Sequence, residues 1–267
     1  MEKPPKQKYP LMTEMTDSEH IGLVREIFST ISEKYDFLNH FFSLGRDITW
    51  RRSAVEKMRF FRTYRFLDAA TGTADLAIEA GRRHSSIQIT GMDFVREMID
   101  LGRLKVEKRG LSDRIRLLMS DALNLPFPDN SFDVAGIAFG IRNIPNKMRT
   151  LREMIRVVMP GGQVMVLEMT FPRNRFIRGI YRIYLNRILP TLARTLSPNP
   201  AAYCYLADSI IHFPRPESFI KLMDEAGLKK VEKIPFTLGI SHLYVGIKPS
   251  KTNPTQTRWI LKPPSIN

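Results

Sequence analysis

The run Phe66-Leu67-Asp68-Ala69-Ala70-Thr71-Gly72-Thr73-Ala74-Asp75-Leu76 limits the possible folds more than any other stretch. An apolar start ends in an acid, small residues follow, and the last residues can open a helix. A first strand, a tight turn and a first helix of a nucleotide-type α/β fold read in that order. Small residues let the backbone approach a ligand, and N–H groups at a helix start face it. The spacing Asp-x-Ala-x-Gly-x-Ala is not G-x-G-x-x-G, and no Gly-Lys-Ser for a triphosphate follows. By itself the turn fits either a ligand site or an ordinary strand–helix connection.

The rest of the chain decides what surrounds that turn. Strands are predicted over 65–69, 87–93, 115–120, 133–139 and 163–169, with helices over 76–84, 95–109 and 147–158 between them. Such alternation specifies a parallel sheet with right-handed crossovers. Met159-Pro160-Gly161-Gly162 stops the third helix and turns into a strand. A helix over 216–226 and strands over 229–235 and 242–248 follow, and Gly239 between them implies an antiparallel finish. Upstream, Ile21, Val24, Ile27, Phe28 and Ile31 fall at helical spacing, with Ser18 as the expected cap and 1–17 as a mobile tail. Tyr35 to Asn39 and Phe41 to Gly45 are expected to break that helix before a short one carrying Trp50, Val55 and Met58. The segment 18–62 thus forms a helical cap, as a packing extension or as a lid. A second tail is expected over 250–267, so that one domain spans 18–249.

Composition narrows the setting. A chain of 267 residues, 43% hydrophobic, suits one large domain with extensions. No apolar run reaches the roughly 18 residues that span a bilayer, and no signal-peptide core is present. The lone cysteine, Cys204, excludes an internal disulfide and any two-cysteine mechanism. A cytoplasmic setting follows as the simplest one, and no Cys/His/Asp cluster offers a metal site. Against 27 acids stand 41 Lys and Arg, a net +14 that attracts phosphate on nucleic acid or on anionic lipid.

In an open parallel sheet the ligand sits at the carboxyl ends of the strands. The second strand ends in Asp93-Phe94, where an acid can accept both ribose hydroxyls of an adenosine. The third ends in Asp121-Ala122, where a second acid can meet the adenine amino group. Singly, Asp93 also reads as a helix cap and Asp121 as a loop acid. Together, Asp68, Gly72, Asp93 and Asp121 at successive strand ends point to a bound cofactor.

This pattern resembles the class I S-adenosylmethionine-dependent methyltransferases, Rossmann-like α/β proteins with a seven-stranded, mostly parallel sheet, an antiparallel last strand and helices on both faces. Leu123 to Asp133 is similar to their segment after strand three. A closer resemblance covers Phe28 to Lys248. Tyr35-Asp36-x-x-Asn39-x-x-x-Ser43-x-Gly45 with Trp50, then Ala138-Phe139-Gly140-Ile141-Arg142-Asn143, then Arg156 to Gly162 through Glu168, resemble the ubiquinone/menaquinone biosynthesis C-methyltransferase family. The resemblance implies S-adenosylmethionine as cofactor, contacted by Thr73, Asp93, Asp121 and Ala122. Asp68, Ala70, Gly72, Phe94 and Ala138 complete the expected cofactor set. Ala70, Thr71 and Ala74 stand where the family mostly has glycines. Leu38 replaces a methionine, Asp47 a histidine, Met159 a basic residue, and Ala138 a serine of some members.

The resemblance implies methyl transfer to a ring carbon of a polyprenylated hydroquinone. Arg142 and Asn143 are candidates for polarising its oxygens or holding a water, unless Arg142 is a structural ion-pair partner. Tyr35 is a candidate to close over the ring. His212 is a candidate base or a plain helix-end residue. Within the insert 171–215, expected over the substrate site, Arg175, Arg178, Arg182 and Arg187 interleave with apolar residues. That pattern fits an interfacial helix at the inner face of a bacterial membrane, or a lid packed on the domain. No Asn-Pro-Pro-Tyr motif or second cysteine supports a nucleic-acid substrate. A homodimer is compatible with the sequence. The alternatives are another small aromatic or lipid acceptor, or a basic RNA- or membrane-binding module that keeps the cofactor site without catalysis.

Overall fold

The computed structural model describes residues 15–197 and 199–250. Strands β1 (Arg65–Ala69), β2 (Gln88–Asp93), β3 (Ile115–Met119), β4 (Phe132–Ala138), β5 (Val158–Met169), β6 (Lys229–Phe236) and β7 (Ser241–Ile247) form one sheet. Their order is β3-β2-β1-β4-β5-β7-β6, with β7 antiparallel to both neighbours and the other pairs parallel. The strand order reverses between β1 and β4, with β2 and β3 added on one side and β4 and β5 on the other, and ligands bind at that switch point in such folds.

Apolar residues on both faces of the strands explain why helices cover both sides. Phe66, Val134 and Met165 pack on one face with Ala77 of α4 (Asp75–Arg83) and Ile99 of α5 (Arg96–Lys108). Leu67, Ala135 and Val164 pack on the other with Leu151 of α6 (Lys147–Val157) and Phe219 of α10 (Pro216–Ala226). A third cluster joins the two segments that the sheet itself does not need. It brings Val24 and Ile27 of α1 (Asp17–Ile31) against Tyr181 of α7 (Arg175–Ile183), Leu189 of α8 (Leu189–Leu196) and Tyr205 of α9 (Ala201–His212). A π-helical turn over Tyr184–Ile188 links α7 to α8.

Three local expectations are corrected. The cap of α1 is Thr16, not Ser18: Thr16 Oγ1 accepts from the Glu19 amide at 3.3 Å while Glu19 accepts from the Thr16 amide at 2.8 Å. This reciprocal pair satisfies two amides at once, which Ser18, already inside the helix, does not do. The predicted tail therefore ends before Asp17; residues 1–14 and 251–267 lie outside the described residues. Tyr35 to Phe42 does not merely break α1 but forms its own helix α2, followed by α3 (Arg46–Glu56). Finally, β5 starts at Val158, because Val158 pairs with Phe132 before the Pro-Gly-Gly bulge shifts the register. A Cβ at Gly162 would lie 2.5 Å from the Asp133 carbonyl oxygen, so only glycine passes there.

Asp133, fully buried at the start of β4, anchors the segment leading into β1. Its carboxylate accepts from the amides of Phe61, Arg62, Thr63 and Tyr64 at 2.8–3.2 Å. Those donors outweigh the burial penalty and hold the carboxyl below its ordinary range. Asp133→Ala strands four amides and should cost about 3 kcal/mol in chemical denaturation. The folded group's depressed pKa makes its stabilisation complete above the ordinary aspartate range and lost as pH falls below it. The deficit of the variant should therefore shrink on acidification.

Candidate active site

Asp68, Ala70, Gly72, Thr73, Asp93, Phe94, Asp121, Ala122 and Ala138 all line one cavity at the carboxyl edge of the sheet. Ile21, Val24, Arg25 and Phe28 of α1 face the same cavity, so the N-terminal helix covers the ligand edge as well as packing on the domain.

Asp68 is buried at the end of β1. Its Oδ2 accepts from Thr71 Oγ1 at 2.6 Å and from the Ala77 amide at 3.1 Å, while Oδ1 has no partner. Burial, the largest influence, pushes its pKa up to about 7. A buried carboxylate oxygen without a donor, on the wall of a cavity, calls for a cation. The charged amino-acid part of S-adenosylmethionine supplies one, and the residues present fit it. Asp93, at the end of β2, accepts from the Gly72 amide at 2.9 Å and from the Val95 amide at 3.0 Å. These contacts fix its carboxylate while leaving lone pairs for ribose hydroxyls. Asp121 holds the following turn through the Leu123 amide at 2.9 Å.

The turn itself is strained where the family mostly has glycine. Ala70 (φ 52°) and Ala74 (φ 69°) are left-handed, as is Gly72 (φ 56°). An L-residue in this region costs roughly 1–2 kcal/mol. The Ala70 side chain also explains Gly140, where an added Cβ would sit 2.8 Å from Ala70 Cβ.

A polar network not legible in the sequence holds this turn against the cap. Thr73 Oγ1 donates to Asp36 Oδ1 at 2.5 Å, so the hydroxyl is engaged within the protein. Lys105 Nζ on α5 reaches Asp36 Oδ2 at 2.6 Å, Thr73 Oγ1 at 3.0 Å and Asp75 Oδ1 at 2.6 Å. All three of its donors are thereby used. Arg51 approaches Asp75 at 3.7 Å and pairs with Asp47, which also accepts from Ser43 at 2.6 Å and meets His40 at 2.8 Å. Asp47, a departure from the family pattern, is the hub of the cap's own network.

A second cavity adjoins the first, and Tyr35, Arg51 and Phe139 line both. Its remaining wall is largely apolar, with Phe42, Trp50, Met169, Leu185, Leu189 and Ile210. Phe139 takes a left-handed backbone (φ 57°) at the end of β4, with the Arg51 guanidinium 5.1 Å from its ring centroid.

Of the four candidate catalytic residues, three border these cavities. Tyr35 lines both, and burial, its largest influence, pushes its hydroxyl pKa up, so it is a donor near neutrality. Arg142 lines the second cavity as a buried ion-pair partner. Its Nη1 donates to Glu168 Oε1 at 2.6 Å and to the Phe139 carbonyl at 2.6 Å, and its Nε is buried without a partner. Asn143 lines the first, with Oδ1 accepting from Tyr205 Oη at 3.2 Å. Tyr205 Oη in turn lies 2.9 Å from His20 Nε2, an arrangement that assigns the Nε2 proton to His20. His212 borders neither cavity. It sits half-exposed at the end of α9, 3.0 Å from Asp208 Oδ1. His20, Tyr205 and Lys105 went unsuggested because nothing in their local sequence marks them.

Two outcomes test this geometry. A cation prefers the ionised Asp68, so affinity for S-adenosylmethionine should weaken by up to about tenfold per unit as pH falls below about 7. Asp68→Asn should flatten that profile in titration calorimetry. Without ligand the linkage runs the other way: the raised pKa favours folding at low pH and that contribution is lost as pH rises through about 7. Lys105→Met removes the cation shared by Asp36 and Asp75 and should weaken cofactor binding about tenfold, on the order of 1.4 kcal/mol.

Known proteins resemble this chain in sequence and in fold. The model of the ubiE/COQ5 methyltransferase family matches residues 12–248. The chain is 42% identical to a ubiquinone/menaquinone biosynthesis C-methyltransferase UbiE of Geotalea daltonii, covering 84% of this chain and 96% of that protein. It is 41% identical to a demethylmenaquinone methyltransferase of Thermus thermophilus, covering 84% of this chain and 100% of that one. A solved Thermotoga maritima structure, described as a SAM-dependent methyltransferase and possible histamine N-methyltransferase, shares the fold with a TM-score of 0.57. It is 20% identical, with 84% of this chain and 98% of that chain covered. The chain belongs to the ubiE/COQ5 methyltransferase family.

Proposed function

We propose that this methyltransferase acts on a ring carbon of a polyprenylated hydroquinone, in the making of menaquinone, ubiquinone or both. The observation that carries the reading is the pair of adjoining cavities. One carries a buried acid row suited to a cationic nucleoside cofactor, and the other is an aromatic and aliphatic chamber beside it. The names of the relatives support a quinone-type acceptor.

S-adenosylmethionine supplies an electrophilic methyl group on a sulfonium. A ring hydroxyl of the acceptor loses its proton, and electron density moves to the neighbouring carbon. Held at Asp68 and Asp93, the cofactor would supply its methyl group to that carbon and leave as the neutral thioether, and the hydroxyl and C–H protons would pass to water. The chain's part is to align the reactants and stabilise the phenolate. Arg142 Nε, a buried donor with no protein partner, is the group for that oxygen, with Glu168 fixing the guanidinium. Tyr35, on the shared wall, closes over the ring, and Asn143 orients the acceptor or a water from its Tyr205–His20 chain. His212 is given no role in this step.

The acceptor's prenyl tail places the work at a membrane. No helix among the described residues is long and apolar enough to cross one. Helix α7 exposes Phe176, Ile180 and Ile183 at i, i+4 and i+7, while Leu185 and Leu189 beyond it wall the second cavity. Peripheral contact with the inner face of the bacterial membrane through this stripe would let the tail reach the chamber.

Label transfer from S-adenosylmethionine to lipid extracts lacking the methylated quinone tests the reading. Reduced naphthoquinol or benzoquinol should take the label and the oxidised forms should not. Arg142→Ala should lower kcat by roughly 10²–10³ with cofactor affinity changed less than about twofold. Cofactor binding without label in either quinol would redirect the search to another aromatic or lipid acceptor.

A further inference from the structure

A third cavity, of about 430 Å³, opens between the start of the insert and the α9–α10 connection. It shares no lining residue with the other two, so it stands apart from the methyl-transfer reading. Its floor is apolar, with Phe171, Ile211 and Phe213, and its wall carries Arg173, Arg178, Arg182 and Arg215 against a single acid, Glu217. That volume lies within the range of small-ligand sites, roughly 300–1,000 Å³.

The acid pairs with only one arginine of that wall, Arg173. Glu217 already accepts from Lys233 at 2.5 Å and Arg173 at 2.8 Å, and the Lys233 bond first among its partners pulls its pKa down to about 2. Arg182 is positioned by the Phe171 ring, 5.6 Å from its centroid. Arg178 and Arg215 form no ion pair among the described residues. Like charges gathered on one concave, partly apolar surface repel unless an anion joins them, and such a cleft focuses positive potential. Guanidinium groups match phosphate oxygens in both charge and hydrogen-bond geometry.

We propose that this four-arginine cavity is a phosphate-recognition site. Arg178 and Arg182, one turn apart on α7, and Arg215, before α10, would meet the phosphate oxygens from two sides. The exposed Phe176, Ile180 and Ile183 lie roughly 150° round the same helix from Arg178 and Arg182, so the acyl chains of a headgroup in the cavity would not reach that stripe directly. A soluble phosphate presents the same chemistry without the chains.

The test compares Arg178→Glu/Arg215→Glu with Arg82→Glu/Arg109→Glu, which makes the same charge change on exposed arginines elsewhere. S-adenosylmethionine binding reports that both variants are folded. Each is measured for co-sedimentation with phosphatidylglycerol/phosphatidylcholine vesicles and for calorimetric binding of inorganic phosphate. An at least tenfold loss of vesicle binding in the cavity pair alone supports the site and assigns the phosphate to a lipid headgroup. An equivalent loss of saturable phosphate binding in that pair alone supports it and assigns a soluble ligand. Equal losses in the two variants, or no binding of either probe by the parent chain, overturns the proposal.

Discussion

A single lysine joins the three parts on which the cofactor edge depends. Lys105 brings α5 of the sheet domain, Asp36 of the cap and the Thr73–Asp75 turn into one hydrogen-bonded group. Without it the cap would hold the turn only through the Thr73–Asp36 hydrogen bond and the longer Arg51–Asp75 pair. With it, the strained left-handed backbone at Ala70 and Ala74 is held from both sides. Arg51 extends the same group to Asp47 and, through its cation–π contact, to Phe139 on the wall between the two cavities. Strain of this kind persists only where surrounding contacts over-determine it, and it clusters at sites of function.

The buried pair Arg142–Glu168 follows a different logic. Taking both charges out of water is costly, and replacement by apolar residues of similar size is often neutral or stabilising. The pair lies beside the largely apolar second cavity, and the role proposed for Arg142 in methyl transfer would give that cost a reason. Glu168 also accepts from the Arg142 and Met169 amides at 3.2 and 2.8 Å, so the acid is locked and the guanidinium with it. The Arg142 Nε is buried with no partner. That is the pattern of a prearranged electrostatic group, whose reorganisation is complete before the substrate arrives.

The insert settles an alternative that its pattern left open. Tyr181, Leu185 and Leu189 are buried in the cluster shared with α1, so the segment packs on the domain. Phe176, Ile180 and Ile183 remain exposed, so the same helix keeps an apolar face free. An amphipathic period of 3.6 residues identifies a helix with two kinds of surface, yet it does not say which is covered. In α1, the misread cap has a comparable origin: Ser18 and Thr16 are equally good capping residues by type, and only the Glu19 partner three residues on selects Thr16.

What the sequence determined by itself is the local order: strand, turn and helix at Phe66–Leu76, acids at the ends of successive strands, and an antiparallel finish around Gly239. These features are legible because side-chain period, turn chemistry and strand-end position act over a few residues. The tertiary structure alone decided which distant groups meet. Lys105 finds Asp36 across 69 positions, Arg142 finds Glu168 across 26, and His20 finds Tyr205 across 185. It also excluded His212 from both central cavities and gathered four arginines around a third. Such contacts depend on how the sheet, cap and insert fold onto one another, and no local propensity encodes that.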